Sequence, residues 1–168
     1  MATQGKNLSN YNADEISDAK KFKFGLVVSE WNAEITENLF QGAFDVLIKN
    51  GVSKENIIRW NVPGSFELVY GAKKLSESFD MLDAIIVIGS VIQGETKHFD
   101  FVCHGVTNGI AQLNVLQDIP IIFCVLTDHN KQQSIDRSGG KHGNKGVEVA
   151  ISAIKMARFR ENAKFYKP

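Results

Sequence analysis

The sequence has no excess of either charge, few cysteines and prolines, and no long hydrophobic run. Its 168 residues include 19 lysines and arginines against 19 aspartates and glutamates, so the formal net charge at pH 7 is zero. A neutral chain offers no general attraction to nucleic acid or anionic lipid, and we expect neither as a partner. The apolar runs are shorter than the roughly 20 residues that cross a bilayer, and residues 1–23 are polar. We therefore expect no membrane helix and no secretory signal, and predict a cytoplasmic protein.

The two cysteines, Cys103 and Cys124, lie in apolar helix and strand patterns. Such residues in a reducing compartment are typically buried free thiols and not a disulfide. His104 follows Cys103 directly, but neighbouring residues on a helix point in different directions. The pair therefore cannot form a catalytic thiolate and imidazole, and neither cysteine is expected to be a nucleophile.

The chain does have a regular alternation of strand and helix patterns. Apolar residues make up 43% and charged residues 23%, as in an ordinary globular domain. Strands are predicted at 24–29, 57–62, 84–88 and 121–127, and helices at 36–50, 66–78, from 99 onwards, at 130–138 and around 147–158. The run at 84–88 is uninterrupted and rich in β-branched residues, which is typical of a strand covered on both faces.

Repeated strand and helix units imply right-handed crossovers and a parallel sheet with helices on both faces. We therefore predict an α/β fold, a flavodoxin-like sandwich of three layers with a mainly parallel four-stranded sheet. This domain spans residues 24–168. Residues 1–23 show no clear period and are predicted to form a polar N-terminal arm, which is either loose or lies on a neighbouring subunit.

Ligands of such sheets bind beyond the carboxyl ends of the strands. The segments expected to converge there are 29–32, 62–65, 89–98 and 127–129. The third is the most informative, because the sequence GSVIQGETKHFD at 89–100 joins a buried strand to a glycine-containing turn, Thr96 and then His98. The first free amides of the following helix can hold an anion, and a histidine beside them can transfer a proton near neutral pH.

Three generic motifs match this region only in part. Gly89, Gly94 and Thr96 have the spacing of a P-loop, but Glu95 occupies the position of the lysine and would repel phosphates. A dinucleotide fingerprint needs a closely spaced first pair of glycines, which is missing. A receiver-type phosphorylation site needs clustered acids after the first strand, where Glu30 stands alone.

Five stretches of the chain resemble the lumazine synthase family of riboflavin biosynthesis. They are VSEWNAEIT at 28–36, VPGSFE at 62–67, the segment 89–100, FCVLT at 123–127 and GGKHGNKG at 139–146. Their joint order and spacing make the match specific, and it extends from about residue 24 to the final helix. One departure is Gln93, where the family often has an arginine or lysine.

The resemblance implies a transferase that condenses 5-amino-6-(D-ribitylamino)uracil with 3,4-dihydroxy-2-butanone 4-phosphate and releases phosphate and water. It implies no cofactor and no metal. The amine adds to the ketone to form an imine, phosphate leaves by elimination, and the ring closes with loss of water. The main requirement is that two reactants are held together, an arrangement for which effective molarities of about 10⁵ M or more are known.

By the same resemblance, His98 is the catalytic proton donor or relay. The pyrimidine and ribityl chain are assigned to Trp31, Ser65, Phe66, Glu67, Ser90, Val91, Ile92 and Phe123. The phosphate is assigned to Glu95, Thr96 and Arg137, and Asn32 and Lys145 are further candidates. Without the resemblance, the same residues have plainer explanations: His98 and Ser65 as helix caps, Trp31 and Phe123 as packing residues, and Arg137 as a solvated charge.

The resemblance also implies that the active site lies between neighbouring subunits of a homopentamer. Phe123 and Arg137 then come from one chain and the other site residues from its neighbour. The compact turn at 139–146 resembles that of members which form icosahedral capsids of 60 subunits. Riboflavin synthase is a candidate partner.

Two other functions stay open. A flavin- or lumazine-binding carrier that has lost catalysis would keep the ring-binding residues but would not need His98 together with Arg137, and the chain has both. An unrelated flavodoxin-like enzyme acting on a sugar phosphate would explain Thr96 and Arg137. It would not explain Trp31 combined with Glu67.

Overall fold

The computed structural model describes residues 7, 9–12, 16, 18–78 and 81–163. Strands and helices alternate along the chain. They are β1 (Phe24–Ser29), α1 (Ala33–Lys49), β2 (Ile57–Val62), α2 (Leu68–Ser78), β3 (Ala84–Ile92), α3 (His98–Leu116), β4 (Ile121–Asp128), α4 (Lys131–Arg137), β5 (Ser138–Gly140), β6 (Gly143–Asn144) and α5 (Lys145–Ala163). Within the described ranges, no helix combines the length and apolar character needed to span a membrane.

The four longer strands form one parallel sheet in the order β2-β1-β3-β4. Helices α1 and α5 pack on one face of this sheet, and helices α2 and α3 pack on the other. The structure therefore confirms the predicted three-layer, flavodoxin-like sandwich. The strand order reverses between β1 and β3, and the carboxyl ends at such a reversal are where open α/β sheets bind ligands.

Strand β3 shows why this sequence forms a central strand. Ala84, Ile86 and Ile88 point into the core on the α1 and α5 side, whereas Ile85 and Val87 point into the core on the α2 and α3 side. All five are fully buried, as predicted for a strand covered on both faces. Burying each of the larger side chains contributes about 1.5–3 kcal/mol relative to exposure.

Some boundaries differ from the predictions. Helix α1 begins at Ala33, three residues early, because Asn32 adopts a left-handed backbone conformation (φ 59°) that turns the chain directly out of β1. Strand β3 continues to Ile92, since it stays paired with β4 as far as Asp128. Helix α2 begins at Leu68, two residues later than predicted.

The segment 138–144 forms a short antiparallel ribbon, β5 and β6, where the sequence predicted the end of a helix and a compact turn but no strands. Gly139 and Gly143 both have positive φ, which lets the chain turn back sharply. Helix α5 then starts at Lys145, next to the ribbon.

Part of the predicted arm packs on its own chain. Ala19 and Phe22 are buried in the core between the sheet and the helices α1 and α5, and Tyr11 and Ile16 pack against that core. The Ser9 hydroxyl accepts a hydrogen bond from the amide of Asn144 in the ribbon, at 2.9 Å. Residues 1–6, 8, 13–15 and 17 of the predicted arm lie outside the described residues.

Candidate functional site

A pocket of about 650 Å³ lies beyond the carboxyl ends of β1 and β3. Its volume is within the range of roughly 300–1,000 Å³ that is usual for small-molecule sites. The predicted site residues that line it are Trp31, Asn32, Ser65, Phe66, Glu67, Ser90, Val91, Ile92, Thr96 and His98. Three of the four segments expected to converge therefore do so around one cavity.

The turn after β1 presents Trp31 at the pocket. The amides of Glu30 and Trp31 donate to the carbonyls of Val62 (2.8 Å) and Pro63 (3.1 Å), so this turn is fixed to the end of β2. Trp31 is 71% exposed, which rules out a role in packing the core of this chain. Asn32 completes the turn, and its side-chain amide donates to the carbonyl of Ser90 at 2.9 Å. The turn is thereby tied to the end of β3.

Ser65 has an unusual environment for a serine. The residue is 7% exposed, and its hydroxyl has no hydrogen-bond partner among the described residues. It is therefore not a helix cap. Leaving a buried hydroxyl unpaired costs about 1–3 kcal/mol, so a ligand that supplied a partner would gain from this group.

Gly89 makes room for Ser65 at the base of the pocket. A Cβ atom at position 89 would lie 2.6 Å from the Ser65 hydroxyl and 2.9 Å from Cδ1 of Leu68. The predicted strand ended at residue 88, which placed this glycine in the turn that follows. The structure shows instead that it is the middle of a strand that a neighbouring side chain approaches closely.

Helix α3 begins with His98 itself, so the histidine is not a cap that precedes the helix. Its amide donates to the Thr96 hydroxyl at 3.4 Å. Within the part of the chain that the structure describes, the His98 imidazole is exposed and has no hydrogen-bond partner. The amino end of α3 also carries the positive end of the helix dipole, which favours an anion nearby.

The sequence analysis missed the apolar wall of the pocket, formed by Phe99, Phe101 and Val102. Phe101 and Val102 follow His98 at spacings of three and four, so they share its side of the helix. That spacing was available in the sequence. Apolar residues at helical spacing are more often part of a core, so the pattern alone does not indicate a pocket wall.

Phe123, Glu95, Arg137 and Lys145 do not line this pocket. Phe123 is half-buried on β4 and packs against the core between the sheet and the helices α2 and α3. Glu95 is exposed in the loop before α3, and Lys145 pairs with Glu148 at the start of α5. Arg137 lies at the end of α4, where its Nη1 donates to the carbonyl of Gln133 at 2.9 Å.

The cysteines have the properties expected of inert thiols. Burial raises the pKa of the Cys124 thiol to about 12. Cys103 was predicted to be buried but is only half-buried. Its pKa is also raised, mainly by burial and to a smaller extent by the nearby charge of Asp100. Both remain protonated at neutral pH. In the described ranges, no three His, Cys, Asp or Glu side chains are grouped so that they could hold a metal ion.

Comparison with known proteins gives one family. Residues 21–161 match the family model described as 6,7-dimethyl-8-ribityllumazine synthase. The chain is 71% identical over 167 residues to the protein of that name from Christiangramia forsetii, and the match covers 99% of both chains. It is 66% identical over 168 residues to the one from Flavobacterium johnsoniae, covering 100% of this chain and 88% of the relative. With the one from Flavobacterium psychrophilum it shares 63% over 163 residues, covering 97% and 86%.

Proposed function

This chain belongs to the 6,7-dimethyl-8-ribityllumazine synthase family, and we propose that the pocket beyond β1 and β3 is where it carries out that synthesis. The reaction is a transferase step of riboflavin biosynthesis, in which 5-amino-6-(D-ribitylamino)uracil condenses with 3,4-dihydroxy-2-butanone 4-phosphate. The observation that carries the proposal is the meeting of Trp31, Ser65 and His98, from three separate segments, around one cavity.

The pyrimidine substrate is bound by the part of the pocket nearest β1 and β3. The exposed indole of Trp31 stacks on the flat ring, a contact worth about 0.5–1.5 kcal/mol beyond the area that it buries. Ser90, Val91 and Ile92 offer their backbone groups to the edge of the ring. The unpaired Ser65 hydroxyl can donate a hydrogen bond to a ribityl hydroxyl or accept one from it, and the exposed Glu67 carboxylate accepts hydrogen bonds from the ribityl hydroxyls.

The phosphate of the second substrate is bound at the amino end of α3. Thr96 lines the pocket there, and the helix dipole favours the negative charge. Glu95 contributes through its main-chain amide, with its carboxylate turned to solvent. Arg137 of a neighbouring chain supplies the positive charge, because a guanidinium can donate two parallel hydrogen bonds to one phosphate.

His98 moves the protons. Imine formation, phosphate elimination and ring closure each transfer a proton, and none requires a covalent nucleophile. An imidazole that borders the pocket without a fixed partner is free to form hydrogen bonds with the reacting nitrogen and oxygen atoms. Positioned acid–base catalysis of this kind contributes about 10²- to 10⁴-fold in rate.

The site is shared between neighbouring subunits of a homopentamer. Phe66 and Phe101 are 57% and 72% exposed, so the rings that line the pocket leave one side open in a single chain. A neighbour that contributes Phe123 and Arg137 would close it. A capsid of 60 subunits, a cytoplasmic location and riboflavin synthase as a partner are further parts of the proposal. Sedimentation distinguishes the sizes: a pentamer alone would remove the capsid, and an active monomer would remove the shared site.

The test is the rate of formation of the green-fluorescent product from both substrates. His98→Ala is expected to lower the steady-state rate by about 10²-fold or more while leaving pyrimidine binding intact. His104→Ala is the matched control, since His104 is exposed on the same helix but does not line the pocket. An unchanged rate for His98→Ala would reject its role. Product bound by the wild-type protein without turnover would support the carrier function instead.

A further inference from the structure

A buried acid lies beside Arg137 at the carboxyl end of β4. Asp128 is the last residue of that strand and is 7% exposed. Its Oδ1 lies 3.8 Å from Nε of Arg137, and its Oδ2 accepts a hydrogen bond from the Ser134 hydroxyl at 2.8 Å. A carboxylate with so little access to water is stable only when it is paired and hydrogen-bonded, and these two groups provide both.

The hydrogen bond from the Ser134 hydroxyl fixes the position of the Asp128 carboxylate. Ser134 is fully buried in α4, and its oxygen also lies 3.5 Å from the hydroxyl of Ser90 in β3. The main chain of Asp128 is held as well, because its carbonyl accepts from the amide of Gln93 at 2.9 Å. The carboxylate of Asp128 is therefore an anchored group and not a mobile surface acid.

Arg137 is consequently held on one side only. Its Nη1 donates to the carbonyl of Gln133, and its Nε faces Asp128. Within the described ranges, Nη2 has no partner. A guanidinium is planar and carries its five donors in a fixed arrangement, so holding two of its nitrogens determines where the remaining donors point.

We propose that Asp128, anchored by Ser134, is a positioning residue that orients the Arg137 guanidinium toward the substrate phosphate. The inference rests on the proposed role of Arg137 in the neighbouring site. It assigns Asp128 and Ser134 no contact with substrate. Without the carboxylate, the guanidinium can rotate and presents its free donors to the phosphate for less of the time.

Asp128 could also affect phosphate binding in the opposite direction, and this makes the inference testable. The negative charge of Asp128 also partly offsets that of Arg137, so a carboxylate that served only to balance charge would weaken phosphate binding. Removing it would then tighten binding. The direction of the change in phosphate affinity therefore distinguishes positioning from charge balance.

The experiment uses Asp128→Asn in the full-length protein, with each substrate varied in turn. Asparagine keeps an acceptor for Ser134 but lacks the charge. The KM for 3,4-dihydroxy-2-butanone 4-phosphate should rise about tenfold, as expected for the loss of one hydrogen bond to a charged group. The KM for the pyrimidine should stay within about twofold. The inhibition constant for inorganic phosphate, used as a competitive probe, should rise together with the first KM.

The control is Asp136→Asn. Asp136 lies on the same helix, next to Arg137 in sequence, but its carboxylate accepts from the Gln132 side chain at 2.9 Å and is not paired with the guanidinium. In Asp136→Asn, the KM for 3,4-dihydroxy-2-butanone 4-phosphate (the phosphate KM) should be unchanged. A lower phosphate KM for Asp128→Asn would overturn the inference in favour of charge balance, and an equal rise in both KM values would overturn it in favour of a general structural role.

Ser134→Ala and Arg137→Ala test the inference and the proposed function separately. If Asp128→Asn does not fold or assemble, Ser134→Ala removes one buried oxygen and should still raise the phosphate KM about two- to threefold; an unchanged value would overturn the inference. Arg137→Ala tests the proposed function itself. A normal phosphate KM for that variant would remove the role of Arg137, and with it this inference. A raised KM there, with none for Asp128→Asn and Ser134→Ala, would remove the inference alone.

Discussion

Helices α3 and α5 have the same length, 19 residues, yet they relate to the sheet very differently. Helix α5 buries seven residues: Gly146, Val149, Ala150, Ile151, Ala153, Ile154 and Ala157. Helix α3 buries only Val106, Ile110 and Leu113, while Phe101, Val115 and Leu116 are 72–85% exposed. The chain thus completes its own core on the α5 side. On the α3 side it leaves an apolar surface uncovered, and that is the side on which the pocket opens.

The difference shows that the larger core and the pocket draw on helices from opposite faces of one sheet. The core beneath α1 and α5 is the larger of the two and also takes in Ala19 and Phe22 from the N-terminal segment. The first turns of α3 instead give Phe99, Phe101 and Val102 to the pocket. Val102 also packs against the core beneath α2 and α3, whereas Phe101 stays 72% exposed in a single chain.

The largest expected effect comes from truncating one apolar side chain on each helix. Ile154→Ala on α5 should lower the free energy of unfolding by about 2–5 kcal/mol, because Ile154 is 1% exposed and a cavity would remain. Leu116→Ala on α3 should change it by no more than about 0.5 kcal/mol, since Leu116 is 76% exposed. Urea unfolding followed by circular dichroism measures both.

Protein concentration provides the control for that pair. A loss in Leu116→Ala that grows on dilution would assign Leu116 to a contact between chains and would sharpen the contrast between the helices. A loss as large as that of Ile154→Ala, and independent of concentration, would contradict it.

A smaller effect is expected at two glycines that allow close approach. A Cβ at Gly146 would lie 1.9 Å from the carbonyl oxygen of Leu39 in α1, so the backbones themselves must move. A Cβ at Gly89 would meet only side-chain atoms, the Ser65 hydroxyl at 2.6 Å and Cδ1 of Leu68 at 2.9 Å, and these can shift. Overpacking costs about 1–3 kcal/mol, and we expect Gly146→Ala near the upper end and Gly89→Ala near the lower end.

The same two variants should show the opposite order in enzyme kinetics: the less destabilising substitution, Gly89→Ala, should have the larger effect on the KM for the pyrimidine. Gly89→Ala should raise the KM for the pyrimidine, because it displaces Ser65, whereas folded Gly146→Ala should keep the wild-type value. Gly94→Ala is the matched control for stability, as a Cβ there would have no atom within 4 Å. A pyrimidine KM that rose only in Gly146→Ala would contradict the division between the two faces.

The smallest effect concerns the two thiols. Iodoacetamide reacts with thiolates, and a raised pKa means that less thiolate is present at pH 8. Cys103 on α3 is half-buried and should be alkylated slowly in the native protein, faster as the pH rises. Cys124 on β4 is buried with a pKa of about 12, so it should react only after unfolding in urea. Mass spectrometry reads the adducts, and equal rates in the native protein would contradict the comparison.

Much of the fold and the position of the pocket followed from local patterns in the sequence, whereas the roles of the site residues came from the family resemblance. The uninterrupted run at 84–88 predicted the doubly covered strand, and alternating strands and helices predicted the parallel sheet. Because parallel strands end at one edge, the segments around Trp31, Ser65 and His98 were expected to meet, and they do.

The features that were missed depend on tertiary contacts. The ribbon at 138–144 has no β-branched or aromatic residue to indicate a strand. Phe101 falls outside the apolar stripe of Val102 and Val106, and no local pattern tells whether its face of the helix is covered. The link from Asp128 to Ser134 joins the end of a strand to the following helix, so only their packing brings the two side chains together.

Phe123 and Arg137 lie away from the pocket of their own chain, and this separation bears on mixtures of defective subunits. If each pocket is completed by its neighbour, His98→Ala chains still supply a sound Arg137, and Arg137→Ala chains still supply a sound His98. Co-assembled at random around a ring, the two inactive proteins would regenerate an intact site at about one junction in four, because such head-to-tail contacts pair different surfaces of adjacent copies. Two inactive variants, once mixed and reassembled, would then form the fluorescent product from the two substrates.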